Sequence, residues 1–410
     1  MLNYFLTASL VTLLTHLYFA LRLLPGLSPG SRWRRRILYL LLGNFLWLPG
    51  ALVLCLYAPR QTAGWTVPLG HVAFTEVGFC ILLTAGLLLR DALWAVGRLF
   101  FGARALHRQA ESAPKLAHED RRRALLHGLN AVVGGAAGAA TILGYAVAQA
   151  QPIVCRVRIP CPRLPPSFPA SGLRIVQVSD LHIGPTIRRG YVETLCRTIN
   201  ALEADLIVIT GDLVDGYVSQ LRDQVAPLGT LRARYGTYFV TGNHEYFYRA
   251  EQWCAELTAL GLHVLANQHV VIEHAGARVL LCGICDPNAE PQTEQERRVA
   301  LTPLLHTEKD AELRILLAHR PSDAVLGQGM DVQLSGHLHG GQFFPLTLLV
   351  NVTEPYSAGL YRVGDLWLYV NRGAGYWGPP NRLGARQELT LLELAPPPSA
   401  LSLTNPGPAG

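Results

Sequence analysis

The sequence predicts an α/β domain carried behind an all-α membrane region of about four helices. Three observations carry this. Half of the 410 residues are apolar and only 16% are charged, against about a quarter in an ordinary soluble domain. The apolar excess is concentrated in residues 1 to about 150, in long runs broken by arginine clusters. From residue 172 onward, short apolar runs alternate with stretches of helical spacing, and each run ends abruptly in a polar cluster. That is the grammar of buried strands alternating with helices. The composition also excludes a disordered chain, which needs low hydrophobicity and high charge.

Four segments are long enough to span: Leu2–Leu21, Ile37–Tyr57, Val67–Leu89 and Leu125–Ala148, each near the ~20 residues that a bilayer core requires. The start, Met1-Leu2-Asn3-Tyr4, has no basic region, so the first segment reads as a span rather than a cleaved signal. Arginines set the orientation. The first connection carries Arg22, Arg32, Arg34, Arg35 and Arg36. The third carries Arg90, Arg98, Arg104, Arg108, Lys115 and Arg121 to Arg123, and the second only Arg60. The positive-inside rule then places the first and third connections in the cytoplasm and the following soluble domain outside. The same asymmetry accounts for the net charge of +6 as a topology signal, so nucleic acid is not an expected partner; the lipid bilayer is. Glu76 in the third span reads as a carboxylate near the outer end of a helix, reaching the interface. Gly134 and Gly138 form a small-xxx-small pair that would let helices pack closely. Ala92–Phe101 reads as a short helix lying on the membrane surface.

Residues 151–171 hold Pro152, Pro160, Pro162, Pro165, Pro166 and Pro169 and read as an extended connector. Cys155 and Cys161 flank it, and an oxidising exterior would allow them to pair. Cys282 and Cys285 form a CxxC at the end of an apolar strand; with no second CxxC to complete a zinc site, they read as buried thiols. Residues 397–410 are rich in Pro, Ser and Gly and read as a disordered tail.

In the soluble part, Leu173–Val178 precedes Ser179-Asp180-Leu181-His182, and Leu206–Ile209 precedes Thr210-Gly211-Asp212. Thr237–Val240 precedes Thr241-Gly242-Asn243-His244-Glu245. Ile315–Leu317 precedes Ala318-His319-Arg320-Pro321, and Val332–Leu334 precedes Ser335-Gly336-His337-Leu338-His339. Arg188–Glu203 and Ala250–Leu260 have helical spacing. Functional groups therefore sit at strand ends of an α/β domain. In an extended segment, Asp180 and His182 face the same way, as do His337 and His339. Asp212, Asn243 and His319 each follow a strand singly. Imidazole, carboxylate and amide oxygens suit Mn, Fe, Zn or Co, and no thiolate is among them. Seven such ligands are too many for one tetrahedral ion. They match two ions sharing a bridging carboxylate, a pair that clamps phosphoryl oxygens and generates hydroxide at neutral pH.

Taken together, Asp180-Leu181-His182, Gly211-Asp212, Gly242-Asn243-His244-Glu245, His319 and Gly336-His337-Leu338-His339-Gly340-Gly341-Gln342 resemble the calcineurin-like metallophosphoesterases over about residues 172–395. The resemblance implies a four-layer α/β/β/α sandwich over 172–396. It implies a first ion on Asp180, His182 and His339, a second on Asn243, His319 and His337, and Asp212 bridging them. His244 would protonate the leaving group. Between two cations its charged form is disfavoured, so a nearby carboxylate is needed to keep it useful as an acid. Two departures stand out: Leu338, where the family often has Thr, and Arg320, where relatives often carry Gln and which could either bias the site towards anions or simply be solvated. The expected function is a membrane-anchored, two-metal hydrolase of phosphate esters, in which a hydroxide generated by the ions attacks phosphorus. The alternatives are a pyrophosphatase acting on a lipid-linked or nucleotide substrate, and a catalytically silent membrane scaffold or sensor. The Gln342–Pro345 loop and Tyr356, Tyr361, Tyr376 and Trp377 are candidate pocket residues.

Overall fold

The computed structural model describes residues 2–57, 63–108, 115–290, 293–308 and 310–397. The chain divides into two compact units, residues 1–149 with 378–383, and residues 150–377 with 384–410. The 398–410 part of the Pro/Ser/Gly-rich tail lies outside the described residues, as does Arg60.

Helices α1 (Leu2–Leu23), α2 (Arg32–Tyr57), α3 (Ala63–Arg108) and α4 (Lys115–Gln149) build the first unit. Among the described residues, these four are long and apolar enough to cross a membrane. The predicted surface helix at Ala92–Phe101 is not a separate element. It is the continuation of α3, because the run from Leu87 to Phe101 is rich in helix formers and holds no proline to break the ladder. Where α3 meets α1, the Asp91 carboxylate accepts from Arg22 Nε at 2.7 Å and Arg90 Nη2 at 2.6 Å. Residues 378–383 join this unit through the Arg382 backbone N–H, which donates to Gly144 O at 3.1 Å.

The second unit is built on two six-stranded sheets. One has the order β1 (Ile153–Pro160), β12 (Glu388–Ala395), β2 (Leu173–Val178), β3 (Leu206–Thr210), β4 (Thr237–Val240), β5 (His263–Val264). The other runs β10 (Gly359–Val363), β11 (Leu366–Val370), β9 (Val332–Ser335), β8 (Leu313–Leu317), β7 (Ala277–Gly283), β6 (Gln268–His274). Alternation along the strands makes the layers. Ile175, Val208 and Val240 from one sheet pack in a single core with Val279, Ile315, Leu317 and Leu334 from the other. Their neighbours Val176, Ile207, Ile209 and Phe239 point to the opposite face and are equally buried, as strands covered on both sides require. Helix α5 (Arg189–Asn200) shows the pattern of a covering helix, burying Val192, Leu195, Cys196 and Ile199 on one stripe at i, i+3, i+4 and i+7. On the far side of the second sheet, Leu301 and Leu305 of α6 (Glu294–Leu305) pack on Leu280, Leu316 and Leu368. The result is the four-layer α/β/β/α sandwich.

Two readings of the sequence are corrected here. The stretch read as a connector supplies β1, paired in parallel with β12 from Ile153↔Glu388 to Pro160↔Ala395. The period-2 signal was there, with Val154, Arg156 and Arg158 outward and Cys155, Val157 and Ile159 inward, but the surrounding prolines masked it. That strand also keeps Cys155 and Cys161 apart. Six residues of extended chain separate them by about 20 Å, well beyond the Cα spacing a disulfide permits, and both are free thiols. Cys282 is buried in the outer core of the second sheet, as its apolar strand suggested, but Cys285 lies beyond the strand end and is only half-buried.

Candidate metal centre

Strands β2, β3 and β4 are mutually parallel, and so are β7, β8 and β9. Parallel strands end at the same edge, so the turns that follow them crowd together there. Asp180 and His182 follow β2, Asp212 follows β3, Asn243 follows β4, His319 follows β8, and His337 and His339 follow β9. Ligand atoms of Asp180, His182 and His339 lie within 4.8 Å of one another, as do those of Asp212, His319 and His337 and those of His182, Asp212 and His244. Asn243 Oδ1 sits 3.2 Å from His319 Nε2. All eight predicted residues are thus brought into one cluster.

The local geometry is not the extended one expected. Asp180, His182, Asp212, His337 and His339 all have φ between 51° and 76°, the left-handed region that non-glycine residues seldom enter. Cross-strand backbone bonds hold these turns: Asp180 N–H donates to Gly211 O at 3.1 Å and His182 N–H to Asp212 O at 3.1 Å. Two glycines make the approach possible. A Cβ on Gly242 would meet Asp212 Oδ1 at 2.2 Å, and one on Gly336 would meet Ser179 Oγ at 1.9 Å and Asp180 Oδ2 at 2.1 Å.

The donor set fits metal ions. His319 Nδ1 is 2.8 Å from Thr210 O, a partner that can only accept, so Nδ1 carries a proton, and Nε2, where Asp212 favours a proton when no ion is bound, is the nitrogen a metal ion would take. That nitrogen faces Asn243 Oδ1 and Asp212 Oδ2, each at 3.2 Å, and His337 Nδ1 at 3.1 Å. Likewise His182 Nδ1 is 3.1 Å from Asp215 Oδ1, which turns its Nε2 lone pair towards His339 Nε2 at 3.0 Å. Buried acceptors converging on one another at about 3 Å are an arrangement that a cation satisfies. Rings whose far nitrogen is fixed by a carboxylate or carbonyl are the usual metal-binding form of histidine.

The family model for calcineurin-like phosphoesterases matches residues 173–341. The transmembrane protein with metallophosphoesterase domain of Bos taurus is 41% identical over 270 residues, covering 63% of this chain and 60% of that protein. Its namesake in Danio rerio is 38% identical over 262 residues, covering 62% and 60%. The chain thus spans about 60% of the length of these two relatives. The metallophosphoesterase YkuE of Bacillus subtilis, uncharacterized by its own description, is 32% identical over 234 residues, 54% of this chain and 79% of that protein. The chain belongs to the calcineurin-like metallophosphoesterase family.

Within this cluster the electrostatics are strongly perturbed. Burial would raise the Asp212 carboxyl, but the imidazoles of His319, His244 and His182 outweigh it and hold it well below the usual carboxylate range. Burial pushes Asp180 up, with Asp212 adding to the effect. His337 is lowered to about 3 by burial and by neighbouring His319. For His244, burial acts downward, yet the Asp215 carboxylate more than offsets it and leaves the imidazole raised to about 9. Asp215 is the carboxylate that an acid role for His244 requires. One of its oxygens, Oδ1, takes His244 Nδ1 at 2.6 Å and His182 Nδ1 at 3.1 Å.

Asp215 and Glu245 are the residues that sequence reasoning passed over. Glu245 stands in the quoted Gly-Asn-His-Glu motif without a role. Fully buried, it accepts from the backbone N–H groups of Gly242 at 2.7 Å, Leu213 at 2.8 Å and Asp212 at 3.1 Å, so one carboxylate ties together the turns after β3 and β4. Asp215 lies three residues beyond Asp212, and that spacing was the available signal. Arg320, the departure that could have met an anion, is engaged by the buried Asp286 carboxylate through Nε at 2.7 Å and Nη2 at 3.1 Å. Of the candidate pocket aromatics, Tyr376 is buried, and Tyr356 meets Tyr361 edge to face at 5.3 Å against the outer core. Trp377 alone faces the site. Its ring lies 5.6 Å from that of His244, and Gln342 fixes its backbone through bonds of 2.8 and 2.9 Å.

Proposed function

We propose that this protein is a membrane-anchored, two-metal phosphoesterase whose catalytic domain lies on the extracytoplasmic side. The convergence of seven acceptor ligands from five strand-end turns carries this reading. Asp180, His182 and His339 would hold one ion, and Asn243, His319 and His337 the other. Asp212 sits within reach of both groups and would bridge them. Mn, Fe, Zn or Co would suit these ligands. Bound there, such ions neutralise phosphoryl oxygens and lower the pKa of water so that a nucleophile exists at neutral pH.

The chain's own residues supply the rest. His244 has its backbone N–H on Asp212 Oδ1 at 2.9 Å and its Nδ1 on Asp215, which leaves Nε2 as the atom that can give a proton to the departing alkoxide. The Asp215 carboxylate fixes the orientation of the ring and favours its protonated form. Phe247 and Trp377, each 57% exposed, flank the His244 ring at 5.2 and 5.6 Å. The leaving group therefore meets an aromatic wall, which favours lipid-linked or nucleotide esters over small polar ones. The silent-scaffold alternative expects at least one ligand to be lost, and each is present and in register. The deciding experiment is a panel of phosphomonoesters, phosphodiesters and pyrophosphates, assayed on full-length protein in detergent with Mn, Fe, Zn or Co added. Metal-dependent turnover of an ester is the expected result. Turnover confined to pyrophosphates would select the pyrophosphatase reading, and tight metal binding without turnover would select the scaffold.

A further inference from the structure

The first unit contains a cavity of about 340 Å³ between its four helices, at the small end of the range for ligand pockets. Side chains of all four helices line it, most of them apolar, Phe19, Phe79 and Leu83 among them. It also touches His16, Asn44, Glu76, His127 and Asn130, and in a membrane such groups point to function. Here, however, His16, Asn44, Glu76 and Asn130 each have a protein partner. His16 joins Thr12 O at 2.7 Å and Asn44 Oδ1 at 2.6 Å. Asn130 Nδ2 donates to Arg22 O at 3.1 Å, and Asn130 Oδ1 accepts from Arg90. Glu76 is hydrogen-bonded by Trp47. The polar lining is largely engaged within the protein, so what the cavity offers a ligand is chiefly hydrocarbon surface.

The Gly134–Gly138 pair bears on the same space. The sequence read it as a close helix contact, but a Cβ on either glycine would meet nothing within 4 Å. The tight α3–α4 contact lies elsewhere, at Gly86, where a Cβ would be 2.8 Å from Val133 Cγ1. Gly134 itself lines the cavity. Its missing side chain opens room beside Leu83 and Phe79 instead of bringing two backbones together.

We infer that this cavity binds a hydrocarbon tail of a membrane lipid. An apolar chain matches the lining, and a volume of this size accommodates part of a tail rather than a whole lipid. The bilayer around four spanning helices presents such chains at high concentration, and helix packing in lipid has no hydrophobic drive of its own to close the gap. The inference concerns the helical unit and holds whichever ester the metal centre hydrolyses.

The test uses the full-length protein in vesicles of phosphatidylcholine carrying a photoreactive diazirine in its tail, with crosslinked residues mapped by mass spectrometry. Labelling is expected to concentrate at Leu83 and Phe79, well above that at Leu52, which is as buried as Leu83 but lies outside the lining. Gly134→Phe fills the cavity and should reduce Leu83 labelling to the Leu52 level. Gly138→Phe places the same ring one turn along the helix, outside the lining, and should leave it unchanged. Equal labelling of Leu83 and Leu52 in the unmodified protein would overturn the inference without reference to any variant, and so would equal losses in the two variants.

Discussion

Asp215→Asn is the most informative single substitution. The amide keeps the size and one acceptor oxygen of the carboxylate but loses its charge. In the wild type one oxygen serves two rings, His244 at 2.6 Å and His182 at 3.1 Å, so the change acts along two branches. Hydrogen bonds to a charged group are worth about 1.5–3 kcal/mol, and the shorter of the two is the stronger. At about 1.4 kcal/mol per factor of ten, the His244 branch should cost roughly 10- to 100-fold in turnover of alkyl phosphate esters, whose leaving groups need a proton. Aryl esters leave without much help and should lose only a few-fold. The His182 branch removes the partner that orients a ligand ring, which typically costs about 10- to 100-fold in metal affinity. Titrating each ion into the variant while measuring both esters separates the branches. Excess metal should restore aryl turnover nearly to wild type and leave alkyl turnover depressed. Equal losses on the two esters at saturating metal would refute the acid role of His244 and reduce Asp215 to a support for the metal ligand.

His244→Ala should depress alkyl turnover by about 10²–10⁴-fold, the span of general acid catalysis, with metal content unchanged; loss of an ion would make His244 a ligand instead. Asp212→Asn removes a carboxylate grouped with His182 on one side and with His319 and His337 on the other, so metal analysis should show both occupancies falling, and a stoichiometry still near two would contradict the bridging role. Reporter fusions placed after Ala150 should give an extracytoplasmic signal, and a cytoplasmic one would reverse the topology. His274 gives a pH prediction away from the metals. Burial holds its imidazole below the ordinary value, with Asp205 opposing and Arg234 assisting, and Tyr235 Oη sits 3.2 Å from Nδ1. As pH falls through about 6.5, the unfolded chain gains a proton that the folded chain refuses, so stability drops towards acid. His274→Gln should flatten the fall in melting temperature between about pH 7 and 5, and an unaltered slope would show that other groups govern it.

Much of this architecture was legible in the sequence because the central strands are apolar on both faces. Leu173–Val178 and Thr237–Val240 coincide with β2 and β4, and Leu206–Ile209 falls one residue short of β3. What escaped were edge elements and cross-overs. Proline hid β1, the half-buried β10 has weak alternation, and β5 is only two residues long. In the helical unit, length and hydropathy placed the spans, but a glycine pair says nothing about which partner, if any, it approaches. Gly134 and Gly138 looked like a contact and proved to be open, whereas Gly86, with no motif around it, is crowded by Val133 of α4.

At the metal centre the sequence reached the right convergence through the wrong local geometry. Asp180 and His182 were expected to share one face of a pleat, which would have left the backbone relaxed. They lie instead at φ of 52° and 51°, conformations that cost of order 1–3 kcal/mol each and persist only where the surroundings over-determine them. Composition carries no mark of a left-handed aspartate or histidine. The mark it does carry is indirect, in Gly242 and Gly336, whose missing Cβ atoms make room for the carboxylates of Asp212 and Asp180. Several strained ligand turns at one sheet edge need a rigid support. They have it in the fully buried strands β3, β4, β8 and β9 and in Glu245, which binds two of the turns together. The strain is consistent with a site held in its ligand geometry before any ion binds, so that binding energy is not spent on ordering loops. Strands of this kind are the part of the fold that the sequence announces most clearly, and for that reason a strained site could be located from apolar runs and the polar residues that end them.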